Sequence, residues 1–335
     1  MIKNYKTCNE SIWQGRVDDP DDIASYRWHQ TVNSLNLNDT NDLTINKRMK
    51  SFCFIGFECN EGVIRNSGRP GAEKAPDYLR KEMANLPWNG DLNIVLFDAG
   101  NVFCVNNDLE EAQNNLSKAV NKILLLGMFP IVLGGGHDIA LGNYQGIHDF
   151  VNNDKSKRNI GIINFDAHFD LRPYKNTKGS SGTMFLQIAD QCKYKNEKFS
   201  YYCIGIQTYA NTKRLFQTAE ELNVQFELAK NINEKNLTKI KLKLNKFINK
   251  NDHIYMTVCS DVFSAAYAPG VSAPQPFGLL PETSLELIKH VAASKKVISF
   301  DIAEISPRFD EDNRTAKLGA IIIYAVINTL SGNKI

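Results

Sequence analysis

Short apolar runs alternate along the chain with longer stretches in which apolar residues recur every three to four positions, and this rhythm predicts strands and helices in turn. Residues 51–57 (SFCFIGF), 92–97 (LNIVLF), 129–133 (FPIVL) and 160–165 (IGIINF) read as strands, and further strands are expected over 199–206, 224–227, 253–258 and 296–300. Helices are expected over 76–85, where Pro76 sits early enough that its missing N–H costs nothing, and over 109–126, 138–151, 212–222, 281–293 and 313–331. The stretch 233–249, NEKNLTKIKLKLNKFIN, is a helix with a solvated lysine face and a packed Leu/Ile face.

Strands that alternate with helices imply a parallel sheet covered on both faces by right-handed crossovers. The expected fold is therefore α/β, a three-layer αβα sandwich with a mainly parallel sheet of about eight strands. Residues 1–50 are polar and rich in Asn and Asp, with Trp13 and Trp28 as anchors, so they read as an N-terminal extension packed on one α/β domain over 51–335. No Gly/Ser/Pro linker divides that domain, and no repeat recurs in it.

Composition removes several function classes. The balance of 39 basic against 37 acidic residues, without a Lys/Arg tract, argues against nucleic acid as a partner. No apolar stretch approaches the roughly 20 residues that span a bilayer, and the opening MIKNYKTCNESIW lacks a signal-peptide core, so no membrane partner and a cytoplasmic location are expected. Seven scattered cysteines without CxxC pairs fit reduced thiols in that compartment. A small-molecule substrate remains the expected partner, and nothing in the sequence excludes a homo-oligomer.

The chemistry sits where strands end. Gly134-Gly135-Gly136-His137-Asp138 follows one strand, Asp166-Ala167-His168-Phe169-Asp170 another, and Cys259-Ser260-Asp261 and Asp301-Ile302-Ala303-Glu304 two more. In an extended segment Asp166, His168 and Asp170 would emerge on one face. A mixed carboxylate and imidazole set suits Mn²⁺ or another borderline divalent ion better than Ca²⁺ or a thiolate-held structural zinc. In parallel α/β sheets ligands bind beyond the carboxyl ends of the strands, which makes all four clusters parts of one expected site. One such cluster alone would read as ordinary loop polars.

With these residues in view, GGGHD at 134–138, DAHFD at 166–170, the acidic cluster at 257–261 and DIAEISP at 301–307 together resemble the ureohydrolase family, which includes arginase and agmatinase. The resemblance covers nearly everything from about residue 50 onward and implies an arginase-like fold with two Mn²⁺ ions. It implies His137 and Asp170 as ligands of one ion, His168 and Asp261 as ligands of the other, Asp166 as a bridge, and Glu304 facing the amidine nitrogens of the substrate. Arginases carry a proton-shuttling His soon after the DAHxD segment; here Phe185 stands in the matching stretch. SSGTMF at 180–185, DAHFDLR at 166–172, NSGRPGA at 66–72, IGFECNEGV at 55–63 and IWQGRVD at 12–18 resemble the formimidoylglutamase branch instead. That branch implies hydrolysis of formimidoylglutamate to glutamate and formamide in histidine degradation.

A substrate with two carboxylates asks for fixed cations. Arg172 is the first candidate for a bidentate clamp and Arg69 the second, with Ser181 and Thr183 as further substrate-binding residues. For Arg69, in a Gly/Pro loop, bonding to loop carbonyls is an equal reading, and Arg80 reads as structural. Asp170 and Glu304 are the expected catalytic residues, Asp170 carrying a proton to the departing nitrogen. One departure stands out: where the family pattern has a first aspartate, this chain has Cys259. Three outcomes stay open there, namely a thiolate-ligated ion, a weakly held second ion, or an inert buried thiol. The competing readings are a ureohydrolase acting on a guanidine and a catalytically impaired metal-binding relative.

Overall fold

The computed structural model describes residues 1–332 except 42, 44, 47, 90–92, 154–157 and 177. Its strands are β1 (Tyr5–Lys6), β2 (Val32–Ser34), β3 (Lys50–Glu58), β4 (Ile94–Phe103), β5 (Phe129–Leu133), β6 (Ile160–Phe165), β7 (Ser200–Ile206), β8 (Gln225–Leu228), β9 (His253–Cys259) and β10 (Val297–Ala303). The helices are α1 (Glu61–Arg65), α2 (Ala75–Ala84), α3 (Leu109–Leu125), α4 (Ile139–Val151), α5 (Met184–Tyr194), α6 (Lys213–Glu221), α7 (Leu237–Asn249), α8 (Pro281–Ala292) and α9 (Arg314–Ser331). The sheet runs β1-β4-β3-β5-β10-β9-β6-β7-β8 with β2 also on β4, and every pairing is parallel except β1 with β4. The strands from residue 50 onward make the eight expected, and two short ones from the first 35 residues extend the β4 edge.

Alternation along each strand sorts side chains between two cores. Phe52 and Phe54 of β3 point into one core with α2, α7, α8 and α9; Cys53 and Ile55 point into the other with α3, α4, α5 and α6. Both sheet faces are thus covered by helices, and the strands that end up in the middle are apolar on both sides, as buried parallel strands must be.

Element bounds differ from the sequence reading in a few places. Residue 92, the expected start of the second strand, lies outside the described residues, and β4 continues to Phe103 through Asp98 and Asn101, polar positions that masked its length. Helix α5 was not foreseen, because its start falls inside the SSGTMF motif. Strand β10 continues to Ala303, so Asp301 belongs to the sheet rather than to the loop beyond it.

The polar positions of β4 have a structural task. Arg80 of α2, fully buried, grips Asp98 with Nε (2.6 Å) and Nη2 (2.9 Å), and also donates to Asn101 Oδ1 and Gly100 O. Trp13 Nε1 donates to Asp98 Oδ2 at 2.6 Å, and Trp28, 1% exposed, packs on Phe54, so both tryptophans fasten the N-terminal segment to the sheet. Burial raises the Asp98 carboxyl's proton affinity, but the Arg80 guanidinium outweighs it and holds the pKa below the usual range.

Candidate metal centre

Four neighbouring strands, β5, β10, β9 and β6, end side by side, and each delivers part of the site. After β5, Gly134 and Gly135 adopt φ of +66° and +81°, a left-handed turn that side chains disfavour, and this reversal puts His137 over the sheet edge. The neighbouring strand end locks it in place: Gly134 N donates to Ile302 O, Glu304 N to Gly135 O, and His137 N to Glu304 Oε1 at 2.9 Å.

After β6 the chain does not stay extended. The strand ends at Phe165, and Asp170 adopts φ of +51°, so the one-face rake expected from spacing is replaced by a curled loop. Asp166 Oδ1 accepts from His168 N at 2.7 Å, an Asx-type turn, while Asn211 staples the loop by accepting from Phe169 N and donating to Ala167 O. The loop still brings the three side chains together. Asp170 and Glu304, φ of +63°, are both non-glycine residues in the left-handed region, a strain that persists only where surrounding contacts enforce it.

The ligand atoms fall into two groups that share a member. His137, Asp166 and Cys259 offer atoms all within 4.8 Å of one another, and so do Asp166, His168 and Asp261. His137 Nδ1 lies 2.9 Å from Asp166 Oδ2 and 3.0 Å from Asp170 Oδ2, and His168 Nδ1 lies 3.1 Å from Asp261 Oδ2. Asp261 Oδ1 is buried without a hydrogen-bond partner among the described residues. Convergent imidazole, carboxylate and thiol donors with this spacing fit a pair of divalent cations held on either side of Asp166.

Charge in the cluster is unbalanced. Burial works against protonated histidines, yet the hydrogen bonds and charges of Asp166 and Asp170 lift His137 well above its ordinary pKa, and Asp261 with Asp166 does the same for His168. Burial would raise Asp166, but its bonds to His137 and His168 hold it low. Burial and the neighbouring Asp166 charge push Asp170 to about 6, burial pushes Glu304 to about 8, and burial lifts the Cys259 thiol. Such a concentration of acceptors calls for positive charge.

Behind His137 runs a relay that the sequence reading missed. Thr257 Oγ1 donates to Asp301 Oδ1, which leaves the oxygen as acceptor for His137 Nε2 at 3.0 Å. Asp301 in turn accepts from Tyr255 OH and from Asn143 Nδ2, the latter at 2.7 Å. The relay takes up Nε2–H and so leaves Nδ1 to face the acidic cluster, where a bound cation would take the place of its proton. Only the β9–β10 register, which sets Asp301 opposite Thr257, makes it possible.

The cavity above the cluster has a volume of about 260 Å³ and is lined by His137, His168, Asp170, Cys259, Asp261 and Glu304, with Arg69, Arg172, Ser181 and the 66–68 loop at its sides. Arg172 is exposed, and among the described residues no partner meets its guanidinium. Arg69 donates to Ser272 O and Val271 O and stacks on Phe309, the loop-carbonyl reading of that residue. Thr183, expected at the substrate, lies off the cavity: its hydroxyl accepts from Ser180 N and donates to Gln187 at the start of α5. Phe185 is fully buried, edge-on to His137 and stacked on Tyr201, so it supports the ligand from behind.

Comparison with known proteins bears on the family and the fold. The sequence profile of the Arginase family matches residues 50–328. The formimidoylglutamase of Clostridium tetani is 52% identical over 328 residues, covering 98% of this chain and 97% of its own length. That of Lysinibacillus sphaericus is 39% identical, with 98% and 99% covered. Among solved structures, the formimidoylglutamase of Bacillus subtilis superposes with a TM-score of 0.77 at 22% identity, 96% of each chain being covered. Trypanosoma cruzi formiminoglutamase, solved with Mn²⁺, gives 0.75 at 23% identity, covering 90% of this chain and 99% of that one. These two structures share the fold of this chain.

Proposed function

The chain belongs to the arginase family, and from that premise we propose that it hydrolyses N-formimidoyl-L-glutamate to L-glutamate and formamide, an amidine C–N cleavage of histidine degradation. The observation that carries the reading is the pair of donor groups sharing Asp166 on the floor of a cavity with the exposed Arg172 at its side. His137, Asp166 and Asp170, with Cys259 in reach, would hold one Mn²⁺, and Asp166, His168 and Asp261 the other. Two such ions, when bound, bring a water's pKa toward neutrality and polarise the amidine carbon.

The chain's own groups do the rest. Glu304, its carboxylate fixed by His137 N–H, faces the amidine nitrogens, where a cationic substrate supplies the charge that burial withholds. Asp170, beside His137 on the cavity floor, would take a proton and return it to the departing glutamate nitrogen. Arg172 reaches for a substrate carboxylate as a bidentate donor, and Ser181 lines the same wall. Arg69 shapes the loop beside them.

No helix of the described residues is long and apolar enough to cross a membrane. Seven unpaired cysteines among the described residues are in keeping with a reducing cytoplasm. The test is product analysis on formimidoylglutamate with and without Mn²⁺: glutamate and formamide are expected. Release of urea from a guanidine substrate, with formimidoylglutamate untouched, would overturn the assignment.

A further inference from the structure

Acceptors and donors are separated within the cavity. Asp170, Asp261 and Glu304 lie on its floor, whereas Asn66, Arg172 and Ser181 form a wall that carries no carboxylate. That wall stands on a short strip of backbone: Gly62 O accepts from Asn66 N at 3.1 Å and from Ser181 N at 3.0 Å, and Gly182 O accepts from Arg172 N at 2.9 Å. Arg65 Nη1 ties the end of α1 to the same strip at Gly179 O. The space above Gly182 is taken by its neighbours. A Cβ there would stand 2.8 Å from Asn66 Oδ1, 2.9 Å from Asn66 Nδ2 and 3.0 Å from Arg172 Cδ, so the carboxamide and the arginine stem converge over one Cα atom. Among the described residues, neither the Asn66 carboxamide nor the Ser181 hydroxyl has a hydrogen-bond partner.

Exposure orders the wall by depth. Ser181 is 7% exposed, Asn66 is half-buried and Arg172 is exposed. The amidine of formimidoylglutamate has to reach the floor, so its α-carboxylate, one carbon from the amidine nitrogen, enters deep. The γ-carboxylate, two methylenes further out, stops near the mouth. Arg69 does not meet it with its fork, because Nε and Nη2 are spent on Ser272 O and Val271 O. We infer that Asn66 is a specificity-determining residue: its carboxamide donates to the γ-carboxylate that Arg172 holds, and Gly182 is the clearance that lets both reach it. Such a pair accepts an anionic tail and repels a cationic one, which sets a dicarboxylic amidine apart from a substrate ending in an ammonium group. The inference rests on the substrate proposed above and names the group that recognises its outer end.

The experiment compares two substrates on the Mn²⁺-loaded full-length chain: N-formimidoyl-L-glutamate and N-formimidoyl-L-2-aminobutyrate, which lacks only the γ-carboxylate. The readout is the ratio of their kcat/KM values. Asn66→Ala should lower that ratio about tenfold to a hundredfold, the cost of one hydrogen bond to a charged group, with the loss in KM for the glutamate compound. Gly182→Ala should lower it too, since the added methyl displaces the Asn66 carboxamide. Asn66→Asp keeps the size but sets a like charge against the γ-carboxylate, so it should lower the ratio at least as far, and it carries the test if the alanine variant does not fold. Melting curves establish which variants are folded. Calorimetry of L-glutamate against L-2-aminobutyrate measures the same preference without turnover.

An unchanged ratio in folded Asn66→Ala overturns the inference, and so does an equal loss on both substrates, which would make Asn66 a structural residue. If neither formimidoyl compound is turned over, the proposed reaction falls and binding decides the inference separately. Wild type that binds L-glutamate more tightly than L-2-aminobutyrate, with the preference lost in Asn66→Ala, supports it; equal binding of the two amino acids overturns it.

Discussion

Replacing Thr257 by Val removes a single hydroxyl from the relay between Asp301 and His137. Thr257 is fully buried, so no water takes the vacated place, and His137 Nε2–H loses its acceptor, a cost of about 1–3 kcal/mol for a buried unsatisfied donor. Asp301 stays compensated because Tyr255 and Asn143 still donate to it. The damage therefore falls on the orientation of the His137 ring. Loss of such an outer-shell partner weakens metal binding by roughly 10- to 100-fold, about 1.4–2.8 kcal/mol. It should appear only in the half of the centre that contains His137, leaving the Asp166–His168–Asp261 half unchanged. Competition dialysis against a graded chelator resolves the two stoichiometric steps, and a melting curve checks that the fold survives. Thr257→Ser keeps the hydroxyl and should stay within about threefold of wild type. If Thr257→Val binds both ions like wild type, or if Thr257→Ser loses as much, the relay does not position the histidine.

Other outcomes follow from the same coordinates. Asp98→Ala strands the buried Arg80 guanidinium and should cost about 3–5 kcal/mol, read as a shift in denaturant midpoint. Because Asp98 has a folded pKa below its unfolded value, its contribution is present in full above about pH 4 and fades as pH falls through the lower, folded value; stability of wild type should drop across that acid window, and a flat profile there contradicts the pairing. Arg172→Gln should raise KM for formimidoylglutamate by about tenfold to a hundredfold with kcat nearly unchanged, since the lost bond is present in ground and transition states alike. Asp170→Asn should lower turnover by at least about a hundredfold; near-normal single-turnover rates would remove Asp170 from the proton path.

Much of this protein can be read from local sequence. Periodicities near two and near 3.6 marked strands and helices because burial on a sheet face or a helix stripe leaves that imprint directly in the order of residues. Clusters at strand ends pointed to His137, Asp166, His168, Asp170, Asp261 and Glu304, since parallel sheets expose the carboxyl ends of their strands. Tertiary structure alone decided which ends meet. The order β5-β10-β9-β6 joins residues more than a hundred positions apart, and helix packing across both sheet faces, not any local pattern, selects it. The Thr257–Asp301 relay depends on cross-strand register, the convergence at Asp170 on a left-handed turn, and the fates of Thr183 and Arg69 on neighbours far along the chain. Local propensity carries no information about such contacts, because their free energy exists only once distant segments have come together.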